Sequence, residues 1–161
     1  MFVIIMGVAG SGKTTIATLL SEALGWPMYD ADDFHSPENI RKMASGVALT
    51  DADRAPWLEK LRQLIAEHNE RGENGVLACS ALKEAYRQTL RSTDDEVALV
   101  YLKAQPDLVR SRLDNRKGHY MPKGLIESQF IALEEPQNSV VVDAAWPATQ
   151  SVAAIRSALA K

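Results

Sequence analysis

The chain has a single cysteine, Cys79, which excludes an internal disulfide framework and suits a reducing compartment. No apolar run approaches the roughly 20 residues that a membrane helix needs. Positive charge is not in excess, since 18 Lys and Arg stand against 21 Asp and Glu. A broad nucleic-acid footprint needs a basic face, so that class of partner is not expected. Internal repeats and low-complexity linkers are also missing. The first apolar run starts at residue 2 and leaves no room for a signal or transit peptide, so a cytoplasmic location is the expectation.

What is present is an ordinary globular balance, with 46% hydrophobic and 24% charged residues. A length of 161 residues predicts one domain over 1–161 with a substantial core. The most specific stretch follows the apolar run 2–6. Gly7-Val8-Ala9-Gly10-Ser11-Gly12-Lys13-Thr14 matches the spacing G-x-x-x-x-G-K-[ST] and opens directly into a helical pattern. Glycines there let backbone N–H groups turn inward, Lys13 adds a mobile positive charge, and the following helix adds its positive dipole end. The Thr14 hydroxyl is placed to ligate Mg²⁺. Together these form a socket for a polyphosphate.

Apolar runs at 26–29, 76–79, 97–102 and 140–142 alternate with segments of helical spacing. This alternation predicts an α/β fold, a parallel sheet with helices on both faces and right-handed crossovers. Ser36 is expected to cap a short helix with Pro37 at its first position, and Pro56 to open a longer one after a polar connection at 47–54. Ser80 is the expected cap of the helix that follows the third strand.

In such a sheet, ligands sit beyond the carboxyl ends of the strands, so 7–14, 30–35 and 79–83 should meet in one crevice. Asp30, Asp32 and Asp33 end the second strand. A carboxylate there can hold Mg²⁺ through water or take the proton of an attacking hydroxyl, or it can simply cap the next helix. Asp32 is the preferred base, with His35 as a hydrogen-bonding group for substrate. Arg54 has the donor fork to clamp a carboxylate, or else pairs with Asp51 or Asp53 at the surface. Lys83, Arg87 and Arg91 recur every four residues, a spacing that suits either a solvated face or, for the first two, an anion contact. Cys79, behind an apolar strand and without an adjacent base, reads as an inert thiol. Arg112, Arg116 and Lys117 lead into a Gly-His-Tyr-Met-Pro turn. That segment reads as a basic lid over the phosphates, about 114–124, or as a surface loop.

These blocks carry a resemblance. The phosphate loop, Asp30 to His35, Asn39, Lys42-Met43, Gly46, 49–58, 79–83 with Tyr86-Arg87, Arg112 to Arg116, 119–122, 128–130 and 133–134 resemble the gluconate kinases. These are small P-loop kinases of the shikimate-kinase-like group, and the blocks run in order along nearly the whole chain. The resemblance implies a three-layer P-loop kinase fold with a five-stranded sheet in the order 2-3-1-4-5 and a mobile lid. It implies ATP- and Mg²⁺-dependent phosphorylation of D-gluconate at its 6-hydroxyl. Gly7 to Thr14, Thr15 and Arg112 would contact ATP, and Thr14 the metal. Asp32, His35, Arg54, Ser80, Lys83 and Arg87 would contact substrate, with Lys13, Asp32 and Arg116 as the catalytic groups. Family members are often homodimers, so a second copy is a candidate partner. Ala31, Ser36 and Tyr120 depart from the residues many members carry, and none of these changes removes a charge. The rival readings are a kinase of another small acid or nucleotide, and a nucleotide-binding switch without acceptor transfer.

Overall fold

The computed structural model describes residues 1–91, 96–115 and 123–161. Five strands, β1 (Phe2–Met6), β2 (Met28–Asp30), β3 (Gly75–Ala78), β4 (Val97–Lys103) and β5 (Val140–Asp143), form one sheet in the order β2-β3-β1-β4-β5. Every pairing is parallel, with Phe2 in register with Gly75 on one side and Val97 on the other. The expected order is met, and the strand ends fall within one residue of expectation except the start of β2, which comes two residues late at Met28.

β1 is central and buried along its whole length, and its side chains divide by the two-residue period of a strand. Phe2, Ile4 and Met6 face a core layer with α3 (Asp51–Glu70) and α4 (Glu84–Arg91), which contribute Trp57, Leu61, Ile65, Tyr86 and Leu90. Val3 and Ile5 face the other layer, against α1 (Lys13–Leu24) and α7 (Ala148–Leu159). A smaller cluster joins Val8 and Leu82, at the carboxyl ends, to α5 (Pro106–Asp114) and α6 (Lys123–Ala132).

α2 (Pro37–Ala44) starts as expected, with the Ser36 hydroxyl accepting from the Asn39 amide at 3.1 Å. Two helix starts differ from the expectation. α3 opens at Asp51, where Thr50 and Asp53 form a reciprocal capping box, and Pro56 lies inside the helix. Asp53 also pairs with Lys42 at 2.6 Å, and the two contacts hold its carboxyl down at about 2. Ser80 does not cap α4. The Glu84 amide at its first position donates instead to the Glu134 side chain at 2.8 Å, a partner from just beyond α6.

Candidate active site

Gly7–Thr14 passes from β1 into α1 as a compact loop. Gly12 stands immediately before the helix at φ 102°, a left-handed conformation that strains any residue with a Cβ. Gly7 is needed for closeness, because a Cβ there would fall 2.7 Å from the Ser11 hydroxyl. Lys13 Nζ folds back to the Val8 carbonyl at 2.9 Å. The Ser11 hydroxyl is buried and has no hydrogen-bond partner among the described residues.

Arg112, on α5, lies across the loop and donates to the Ser11 carbonyl at 2.8 Å and to the Ala144 carbonyl at 2.5 Å. It thereby joins the loop to the segment after β5. Beside it opens a cavity of about 440 Å³, walled by Gly12, Thr15, Arg112, Asn115, Trp146 and Ser151. A chamber with Trp146 on its wall, next to the glycine-rich loop, fits a nucleoside attached to phosphates. The buried, unpartnered Ser11 hydroxyl fits an acceptor-rich group entering the loop.

The segments after β1, β2 and β3 do converge. The Gly7 amide donates to the Ser80 carbonyl at 3.3 Å, and the Thr14 hydroxyl lies 3.4 Å from Asp30 Oδ2. Thr14 and Asp30 therefore offer adjacent hard oxygens at the loop's mouth, a donor set suited to Mg²⁺ with water completing its shell. Asp30 also accepts the Asp32 amide at 2.9 Å, which fixes the turn that carries Asp32. The Asp32 carboxyl is raised above the ordinary aspartate range, mainly by burial, then by Asp30, while Lys13 opposes the shift. Asp32 keeps exposed surface, so this desolvation comes from the crevice walls rather than from enclosure.

A second group gathers around His35 and Arg54. His35 stacks on Trp57 with ring centroids 4.4 Å apart, and Trp57 Nε1 donates to the Ala31 carbonyl at 2.6 Å. This pair pins the carboxylate-bearing turn to α3. Asn39 Nδ2 approaches His35 Nδ1 at 3.4 Å, an arrangement that leaves Nε2 as the protonated nitrogen. Burial, and then the charge of Arg54, lower the His35 pKa and favour the neutral ring. Arg54 donates to the Leu49 carbonyl at 2.8 Å and to the Tyr86 hydroxyl at 3.1 Å. Lys83 pairs with Asp51 at 3.0 Å.

Arg87 departs from the expected ligand contact. It is 1% exposed and donates to the carbonyls of Ala81 at 2.8 Å, Leu82 at 3.0 Å and Glu134 at 2.8 Å. Its Nε and Nη2 both meet Glu84 Oε2, at 2.9 and 2.8 Å. All the donors of a guanidinium are thereby used, so Arg87 holds the turn after β3 and has none left for a ligand. That turn is strained, with Ala81 at φ 44°. The Ser80 side chain is half-buried at its edge. Cys79 is a buried free thiol pushed up to about 12 by burial, which fits an inert role. Arg116 and most of the expected lid lie outside the described residues.

Sequence pattern did not single out Tyr86, Trp57 or Gln129 for this region. Tyr86 and Trp57 sit in helical apolar stripes, which give no sign of the polar bonds that their hydroxyl and indole make.

The cavity beside the glycine-rich loop and the five-stranded order define a small P-loop phosphotransferase. Residues 9–140 match the family model described as Shikimate kinase. A gluconokinase of Gluconobacter oxydans is 44% identical over 84% of this chain and 76% of its own length. A probable gluconokinase of Mus musculus is 42% identical over 97% and 96% respectively. Among solved structures, a gluconokinase from Sinorhizobium meliloti superposes with a TM-score of 0.89 at 39% identity, covering 98% of this chain and 90% of that one. A shikimate kinase from Aquifex aeolicus, at 21% identity and a TM-score of 0.64, shares the fold. The chain belongs to the gluconokinase family, within the shikimate-kinase-like kinases.

Proposed function

We propose that this chain transfers the γ-phosphoryl group of ATP to the 6-hydroxyl of D-gluconate, giving 6-phospho-D-gluconate for carbohydrate metabolism. The observation that carries the reading is the pairing of two chemistries in one crevice. Asp32 feels the charge of Lys13 from the phosphate loop, while neutral His35 feels Arg54, which shares the Tyr86 ring with Lys83. A sugar acid needs that arrangement, with its hydroxyl end at the loop and its carboxylate at the cations.

In this mechanism the loop amides and Lys13 hold the β- and γ-phosphates, and Arg112, Thr15 and Trp146 bound the nucleoside end. Thr14 and Asp30 would hold Mg²⁺, which when bound neutralises phosphate charge. Asp32 takes or orients the proton of the attacking hydroxyl, and its raised pKa suits it to that task. His35 donates from Nε2 to a sugar hydroxyl. Arg54 offers Nε and Nη2, which have no bond among the described residues, to the carboxylate. Ser80 borders the same turn. The work is positioning and electrostatics.

A single domain over 1–161 carries both subsites. A cytoplasmic setting suits its buried free thiol, and no described helix is long and apolar enough to cross a membrane. The test is ADP release from ATP and Mg²⁺ against gluconate, shikimate and nucleoside monophosphates in turn. Turnover that depends on gluconate is the expected result. Preference for another acceptor, or slow hydrolysis that ignores all of them, overturns the reading.

A further inference from the structure

Tyr86 belongs to the buried face of α4, yet its hydroxyl reaches the cationic end of the crevice. It accepts from Arg54 Nη1 at 3.1 Å and donates to Asp51 Oδ1. Two cations flank its ring, with Arg54 Cζ and Lys83 Nζ each 5.6 Å from the centroid. Lys83 Nζ closes the group on the same Asp51 oxygen at 3.0 Å. One carboxylate oxygen thus receives an ammonium and a phenol, with a guanidinium beside them. A site for the carboxylate of a bound acid would be built in this way. Here the carboxylate belongs to the chain.

Asp51 has the properties of a removable occupant. It is the first residue of α3, and its side chain is 69% exposed. The capping box that fixes this helix start uses Thr50 and Asp53 and leaves Asp51 out. Its second oxygen, Oδ2, makes no bond among the described residues. The charges also leave room for exchange. Lys83 and Arg54 supply two positive charges against one from Asp51, and Asp53 is already committed to Lys42. A second carboxylate at the same ammonium and phenol would repel the first.

We propose that Asp51 is a resident competitor, occupying the Lys83–Tyr86 end of the acceptor-carboxylate subsite until a sugar acid displaces it. The proposal rests on the sugar-acid reading above and extends it to specificity. An acid replaces the charge it removes, whereas a neutral polyol of the same length would leave Lys83 unpaired. The site therefore discriminates through the cost of evicting Asp51 as well as through the bonds it offers.

The experiment compares wild type, Asp51→Asn and Asp51→Ala in steady-state kinetics with ATP saturating and gluconate varied. Isothermal titration of gluconate and a thermal melt accompany each variant. Removing the competitor is expected to lower the gluconate KM and Kd about three- to tenfold, the scale of one exposed ion pair plus one hydrogen bond. The effect falls on KM, with kcat moving less than about twofold, and both variants shift in the same direction. A tie that merely orients Lys83 and Tyr86 predicts the reverse, a raised KM when it is cut. An unchanged or raised KM in variants that melt like wild type overturns the proposal. Absence of gluconate turnover in wild type would instead sink the functional reading, so the two failures are distinct.

Discussion

The Ala9 amide donates to the Gln129 side-chain oxygen across 2.6 Å, tying the phosphate loop to α6, which lies 120 positions further along the chain. A loop amide of the kind that can receive phosphate is capped by a side-chain carbonyl. Gln129→Ala leaves that half-buried N–H with no protein partner. The expected cost is about 1 kcal/mol, or roughly 2–4 °C in melting temperature for a chain of this size. Saturating ATP gives the amide other acceptors, so the gap between variant and wild type should narrow in its presence. Thermal melts with and without ATP check this, and a gap that ATP does not change counts against it.

Arg87 offers the opposite lesson, a cation spent wholly inside the fold. Arg87→Lys keeps the charge but loses the planar fork that reaches Ala81, Leu82, Glu134 and Glu84 together. Buried carbonyls then lack donors. The expected loss is about 2–4 kcal/mol in urea unfolding. The gluconate KM of the folded fraction should stay near wild type. A large rise in KM without loss of stability would return Arg87 to the ligand side.

The five strands and the convergent crevice are legible in the sequence because their signals are local, whereas the strand order came only from the resemblance to the gluconate kinases. Apolar runs such as 97–102 have one reading, and the phosphate-loop spacing is rigid. The misses come from signals that compete or from partners distant in sequence. Pro56 looks like a helix opener because proline suits a first turn. The Thr50–Asp53 box sits earlier and uses Asp where Glu or Gln is the usual sign. Period-four spacing placed Arg87 beside Lys83, but its role depends on a Glu134 carbonyl 47 residues away. Asp30 gains meaning only from Thr14, a neighbour made by the fold. The polar bonds of Tyr86 are likewise tertiary.

Lys13 separates folding from turnover. Its ammonium rests on the Val8 carbonyl within a loop whose path is set by glycines and by the start of α1. Lys13→Ala should therefore keep the circular dichroism spectrum and melt close to those of wild type. Loss of the charge aimed at the phosphates should lower kcat about 10²–10³-fold, the scale of one removed electrostatic stabiliser. Wild-type turnover in a gluconate-dependent ADP-release assay would sink the role given to the loop.

Asp32 should show a conflict between stability and activity. Burial and the neighbouring Asp30 raise its pKa in the folded protein, against the pull of Lys13. The native state therefore binds this proton more tightly than the unfolded chain does, and stability at this site decreases as pH rises. The ionised carboxylate costs stability in full above the folded pKa, and the cost vanishes below the unfolded value of about 3.9. Asp32→Asn removes that charge, so the variant should melt above wild type at neutral pH, with the difference closing near pH 4. Its turnover should drop about 10²–10⁴-fold, as expected when a general base is lost. Wild-type kcat/KM should decline on the acid side with an apparent pKa above the ordinary aspartate value, and the residual activity of the variant should lack that limb. Melts from pH 4 to 8 and a matching pH–rate profile test both halves. A variant less stable at neutral pH, or one that retains the acid limb, would mean that Asp32 supports the crevice rather than serving as its base.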